Sequence, residues 1–185
     1  FTNFSQDHLD YHKNLKAYLK AKLYLFERLI INKGNAITDK KISEFNKIKK
    51  IAINKKLKLS SINNNKDNLK VLSHTFNGEH QILKIKFNNF TKIINLKLIG
   101  RIQIKNILMA AIAANKSGLD YKDIFNVISK LKPVKGRLEK IGRIRNQSRV
   151  ILDYAHTPEA LKTCLLNLKE QFPNKKISLV FGCGG

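Results

Sequence analysis

The segment from Arg149 to Gln171 leaves few folds open to this chain. An apolar run, Val150-Ile151-Leu152, reads as a short strand, Asp153-Tyr154-Ala155-His156 follows it, and Thr157-Pro158-Glu159 opens a helix. The Thr157 hydroxyl can cap that helix, Pro158 suits a first turn where its missing N–H has no partner, and Glu159 complements the positive dipole end. Leu161, Leu165, Leu168 and Phe172 recur at helical spacing and predict its buried stripe. Residues 177–181 are apolar enough for a second strand. Strand, helix and strand in that order predict a right-handed parallel crossover. An acid and a histidine at the carboxyl end of a strand in such a sheet stand where α/β proteins bind ligands.

The earlier part of the chain repeats this logic. Residues 1–4 read as the end of a buried strand and lead into a polar turn holding Asp7, His8, Asp10 and His12. A helix is predicted over 14–30, with Leu15, Tyr18, Leu19, Leu23, Phe26 and Ile30 as its apolar stripe. Lys22 falls on that stripe, whereas Lys16 and Lys20 point elsewhere. A weaker strand–helix unit occupies 29–53, and residues 57–99 change to period two. There Leu83, Ile85 and Phe87 alternate with lysines, and Ile94, Leu96 and Leu98 alternate with Asn95 and Lys97. Asn77-Gly78 predicts a hairpin turn within a small antiparallel sheet that has one wet face. Helices return over 103–116, with Ile104, Leu108, Ala111 and Ile112 on one face and Gly118 as the stop. The next is capped by Asp120, carries Ile124, Val127, Ile128 and Leu131, and ends before Pro133. Residues 136–147 read as a linker. The fold class is therefore α/β. A parallel sheet with helices plus a small antiparallel sheet occupies 1–142, and 143–185 begin a second, Rossmann-like domain.

At 185 residues the chain holds one domain and part of another. It starts with Phe1 and stops in the turn Phe181-Gly182-Cys183-Gly184-Gly185, so both ends read as cut. No apolar run approaches the roughly 20 residues that span a bilayer, and no membrane insertion is expected. Cys164 and Cys183 have neither disulfide nor metal spacing, which suits reduced thiols in the cytoplasm. The net charge of +23 raises the possibility of a basic nucleic-acid-binding domain. The excess is almost all Lys, spread among Asn and Ile without interleaved aromatics, so a compositional bias accounts for it and no nucleic-acid partner is expected. Of the 13 acidic residues, Asp7, Asp10 and Asp153 fall inside the candidate motifs.

Taken as residues alone, these motifs keep two readings each. Asp7, His8, Asp10 and His12 can hold a divalent cation or serve as loop caps. Lys22 can snorkel its ammonium to water, or lose solvation so that a neutral, nucleophilic amine adds carbon dioxide as a carbamate. Arg137 can be a linker cation, Asn106 a helix-terminal polar group, and Asp153 with His156 a hydrogen-bonded turn. Gly182, Gly184 and Gly185 read as a turn.

Phe1-Thr2-Asn3-Phe4-Ser5-Gln6-Asp7-His8-Leu9-Asp10-Tyr11-His12, Tyr18-Leu19-Lys20-Ala21-Lys22, Gly136-Arg137-Leu138-Glu139 and Asp153 through Leu161 together resemble the Mur ligases. The likeness spans nearly the whole chain and is greatest to the members that add the third amino acid of the peptidoglycan precursor. It implies the later part of a central ATPase domain joined to the start of a C-terminal ligase domain. It implies ATP and magnesium as cofactors. His8 and a carbamylated Lys22 (N6-carboxylysine) would hold the metal, Asn106 would recognise adenine, Asp153 the ribose, His156 would lie near the phosphates, and Arg137 would reach the transferring phosphoryl group. Two places depart from the family: Ile102 and Gln103 replace an aromatic residue and an Asn, and Asn32-Lys33-Gly34-Asn35 lacks the usual acids. The implied reaction activates the D-glutamate carboxylate of UDP-MurNAc-L-Ala-D-Glu as an acyl phosphate, which a diamino acid then attacks. Meso-diaminopimelate is favoured over L-lysine, although the loop that selects it is expected beyond Gly185 and the phosphate loop before Phe1. The fragment alone is expected to be inactive, and the full-length enzyme a cytoplasmic monomer. A rival is another ligase of the superfamily, such as folylpolyglutamate synthase, which usually shows Gly and Asn where this chain has Tyr154 and Thr157.

Overall fold

The computed structural model describes residues 1–7, 9–62 and 69–182, so His8, the polar loop 63–68, Cys183, Gly184 and Gly185 lie outside the described residues. The chain forms two compact units. One is built from residues 1–70, 86–90 and 105–124, the other from 71–85, 91–104 and 125 onward. Among the described residues no helix is long and apolar enough to cross a membrane.

In the first unit α1 (Leu15–Tyr24) begins at Asn14, whose Oδ1 accepts from the Ala17 N–H at 2.9 Å, and it continues as one π turn over Leu25–Leu29. β1 (Asn35–Asp39), α2 (Phe45–Asn54) and β2 (Lys58–Ile62) follow, and β2 pairs with β1 in parallel. Leu23 and Phe26 of the first helix are buried together with Ala36, Ile48, Ala52 and Leu57. This bears out the weaker strand–helix unit and the later part of the predicted stripe; Tyr18, Leu19 and Ile30 are half-buried and Leu15 is exposed. Two boundaries change. Residues 58–62 belong to the parallel pair rather than to the period-two sheet, because the α2 crossover returns them alongside β1. Residues 1–4 form no strand. The Phe1 nitrogen donates to the Ile37 carbonyl at 2.7 Å and Thr38 Oγ1 donates to the Phe1 carbonyl at 3.1 Å, so the segment is tied to β1 without a ladder.

β3 (Leu69–Asn77), β4 (His80–Phe87) and β5 (Phe90–Leu96) form the three-stranded sheet in sequence order. Their two-residue turns enforce antiparallel neighbours, and Gly78 and Asn88 supply the positive φ values, 59° and 51°. Leu83, Ile85, Ile94 and Leu96 are buried, whereas Lys84, Lys86 and Asn95 are exposed. α3 (Ile102–Lys116) buries Ile104, Leu108, Ala111 and Ile112 as predicted. Asp120 Oδ1 accepts from the Lys122 N–H at 2.7 Å at the start of α4 (Tyr121–Ile128), which buries Phe125 while Val127 is exposed.

The end of the chain departs most from expectation. Residues 136–147 are not a bare linker: β6 (Glu139–Arg143) pairs antiparallel with β7 (Arg149–Leu152). α5 (Pro158–Gln171) is capped as predicted, with Thr157 Oγ1 accepting from the Ala160 N–H at 3.3 Å. Its Leu161, Leu165, Leu168 and Phe172 are only half-buried, and the buried residue is Gln171. Residues 177–181 form no strand, and Val180 is 97 % exposed. An apolar run becomes a strand only beside a ladder partner, and β7 is here paired to β6. The predicted parallel crossover is therefore not formed among the described residues.

Gly100 has φ +88°, and a Cβ built on it would lie 2.5 Å from Leu138 Cδ1 and 3.2 Å from Asn167 Oδ1. Gly142 has ordinary backbone angles and open space at that position. Gly100→Ala is expected to cost about 1–3 kcal/mol by denaturant unfolding, and Gly142→Ala less than about 0.5 kcal/mol.

Candidate functional site

Two of the motifs meet in the second unit. The Leu138 N–H donates to Asp153 Oδ2 at 2.8 Å, and the Ala155 N–H donates to Oδ1 of the same carboxylate at 2.9 Å. The Tyr154 N–H donates to the Gly136 carbonyl at 2.8 Å, and the Gly136 N–H donates to Glu139 Oε2 at 2.8 Å. The Gly136–Glu139 turn and the Asp153–His156 turn are thus stitched into one structure at the end of β7. Leu138 takes a left-handed φ of 47° and is buried, while the neighbouring Arg137 is exposed. The Arg137 guanidinium lies 5.1 Å from the centre of the exposed Tyr154 ring, and no carboxylate among the described residues pairs with it. His156 Nδ1 is 3.0 Å from the Tyr154 carbonyl, and its ring meets the Tyr154 ring edge-on at 5.1 Å. The group presents a carboxylate, a permanent cation and an imidazole on one solvent-facing rim. Each carboxylate oxygen keeps a second lone pair for an outside donor such as a sugar hydroxyl.

Lys22 belongs to the first unit. Its ammonium donates to the Asn3 carbonyl at 2.7 Å and lies 4.9 Å from the Phe1 ring centre and 5.3 Å from that of Tyr18. Burial beside these rings lowers the pKa of the amine, against the opposing pull of Asp7 and Glu44. The half-buried position lies between full snorkelling and full burial. Its predicted neighbour His8 lies outside the described residues, and among those described no three His, Cys, Asp or Glu side chains gather as a metal cluster. Asn106 is exposed on the first turns of α3. Beside it in sequence, Lys105 pairs at 3.0 Å with Asp39, a buried acid at the carboxyl end of β1.

Sequence reasoning missed Glu79. It lies in the β3–β4 turn and binds three cations, Lys140 at 2.5 Å, Arg143 at 3.0 Å and Arg149 at 2.6 Å. These come from both strands of the hairpin that carries Asp153, so Glu79 anchors that hairpin. Only its position after Asn77-Gly78 marked it, and a turn acid predicts no partner 60 or more residues away.

Comparison with known proteins places these motifs in a family. Residues 1–114 match the Mur ligase middle domain, and residues 136–185 match the glutamate ligase domain of the Mur ligases. The chain belongs to the Mur ligase family. The UDP-N-acetylmuramoyl-L-alanyl-D-glutamate–2,6-diaminopimelate ligase of Rickettsia typhi is 37% identical over all of this chain, which spans 37% of that protein. A solved structure of an enzyme with that same name is 28% identical with a TM-score of 0.70, covering 99% of this chain and 37% of its own. MurF from Acinetobacter baumannii shares the fold at 19% identity and a TM-score of 0.77, over 91% of this chain and 36% of its own.

The three cations hold the Glu79 carboxyl at about 2 instead of 4.5. A depressed folded pKa means that this stabilisation is complete above about pH 4.5 and lost as the pH falls toward 2. Glu79→Gln is expected to lower stability at neutral pH and to flatten the unfolding curve across that acid window, as read by denaturation at stepped pH. Added salt should weaken the wild-type protein more than the variant.

Proposed function

We propose that this chain is part of a cytoplasmic, monomeric ATP-dependent ligase that joins meso-diaminopimelate to UDP-MurNAc-L-Ala-D-Glu in peptidoglycan synthesis. Residues 1–142 would belong to its central ATPase domain and 143–185 to its C-terminal domain. The observation that carries the reading is the stitched pair of turns. Asp153 is held by two backbone donors and still has acceptor capacity, and Arg137 is exposed nearby without an acid partner among the described residues. The relatives that share 36–37% of their residues with the whole chain support the choice of diamino acid through their names.

On this reading Asp153 accepts the ribose hydroxyls, His156 approaches the phosphates, and Asn106 offers donor and acceptor to the adenine edge. Arg137 brings a planar, always charged fork to the phosphoryl group in transfer. Bound ATP supplies the phosphoryl group that activates the D-glutamate carboxylate, and magnesium neutralises charge on it. Lys22 and His8 are the residues proposed to hold the metal. The lowered amine pKa enlarges the neutral fraction of Lys22, whose lone pair attacks the carbon of carbon dioxide. An N–C bond forms, one C=O electron pair moves to oxygen and a proton leaves the nitrogen. The product is an anion that attracts the cation an ammonium would repel.

In the complete enzyme, Arg137→Ala is expected to lower kcat by about 10²–10³-fold. Asp153→Ala should raise the KM for ATP about tenfold or more, in line with about 1.5–3 kcal/mol for a hydrogen bond to a charged group. Lys22→Ala should nearly abolish turnover, Lys22→Glu should recover part of it, and bicarbonate should help only the wild type. Wild-type turnover in Lys22→Ala at saturating ATP and magnesium would refute the carbamate.

A further inference from the structure

Helix α3 begins with a sequence that cannot cap itself. Gly100, Arg101 and Ile102 carry no side-chain acceptor, yet the first backbone N–H groups of a helix need one. The acceptors arrive from α5. Asn167 Oδ1 accepts from the Ile102 N–H at 2.9 Å, while Asn167 Nδ2 is itself steadied by the Thr163 carbonyl at 2.8 Å. Buried Gln171 accepts from the Gly100 N–H through Oε1 at 2.8 Å and donates to the Gly78 carbonyl through Nε2 at 3.1 Å. Fully buried Gln81 completes the corner by donating to the Leu98 and Gly100 carbonyls at 2.8 and 3.0 Å.

This corner is also the floor under the Arg137 loop. The missing Cβ of Gly100 makes the space that Leu138 Cδ1 occupies, and Leu138 is the residue bonded to Asp153. The Gln103 side chain, one residue into the helix, donates to the Arg137 carbonyl at 3.3 Å. We propose that Asn167 and Gln171 are positioning residues: by fixing the Gly100–Ile102 corner they fix Leu138, and through it the Arg137 fork and the Asp153 carboxylate. The hydrogen bonds of both side chains go to the corner, to Gly78 and to Thr163 rather than to the rim. The catalytic half of this inference rests on the role of Arg137 given under Proposed function.

Hydrogen exchange on the 185-residue chain tests the geometry without any nucleotide. Asn167→Ala removes the Ile102 bond, and Gln171→Leu removes the Gly100 and Gly78 bonds. Each is expected to speed exchange of its own corner amide about tenfold or more and to speed Leu138 and Tyr154 severalfold, with Leu161 in α5 unchanged. Asn167→Asp keeps the acceptor oxygen for the Ile102 N–H but gives up the donation to the Thr163 carbonyl, and should return Leu138 part of the way to wild-type exchange. Corner amides that open while Leu138 and Tyr154 keep wild-type exchange would overturn the proposal. Should Gln171→Leu also expose Leu161, the milder Asn167→Ala decides the matter alone. In the complete enzyme Asn167→Ala should lower kcat about tenfold, with Asn167→Asp restoring part of it. Arg137→Ala with full turnover would refute the reading of the site, whereas an inactive Arg137→Ala beside a fully active Asn167→Ala would refute the positioning.

Discussion

The site in the second unit depends on one carboxylate that satisfies two backbone donors at once. Asp153 takes the N–H of Ala155, two residues on, and that of Leu138, fifteen residues back. Without the second bond the Gly136–Glu139 turn would have an unmet buried donor at a residue already in the costly left-handed region. An Asn here would keep one acceptor oxygen but face one backbone N–H with its own N–H₂ group. The acid is thus structural before it is chemical, and it joins the segments that bring Arg137, Tyr154 and His156 to a common rim.

The rest of the second unit supports that joint by polar means. The cations gathered at Glu79 hold the hairpin, and the side-chain amides of Gln81, Asn167 and Gln171 hold the corner before α3. Apolar burial in α5 is modest by comparison, since its leucines remain half-exposed and its buried residue is a glutamine. Amides with several donors and acceptors fix orientation more narrowly than leucine contacts do. Cys164 shows the quieter side of this environment: burial raises its thiol to about 11, which leaves it inert at neutral pH.

Local patterns were legible in the sequence wherever one face of an element meets the core. Leu23 and Phe26, the β4 and β5 alternation, the Ile104–Ile112 face and the Thr157 cap all follow from period or from capping chemistry. From the residues alone Arg137, Asp153 and His156 were legible only as separate motifs, because periodicity does not tell which turns meet; it was the family resemblance that implied a common site. Pairing choices failed for the same reason. The β6–β7 ladder, the parallel placement of β2 and the lack of a strand at 177–181 depend on partners distant in sequence. Polar residues that act at long range, Glu79, Gln81, Asn167 and Gln171, carry no local signature at all.

The path of the chain between the two units bears on how it is made. The polypeptide changes unit after residues 70, 85, 90, 104 and 124, so neither unit is a continuous stretch. During synthesis from the amino terminus, the β1–α2–β2 piece has its ladder partners within residues 35–62 and the helix that packs on it just before them, so it can form early. The first unit cannot close until residue 124 has emerged, by which point much of the second unit's strand material is already outside the ribosome. At about 5–20 residues per second that interval lasts several seconds, long enough for the open edges of the β3–β5 sheet to meet other chains. Lysines on the wet face of that sheet, Lys84 and Lys86 among them, give nascent copies a like charge that opposes such encounters.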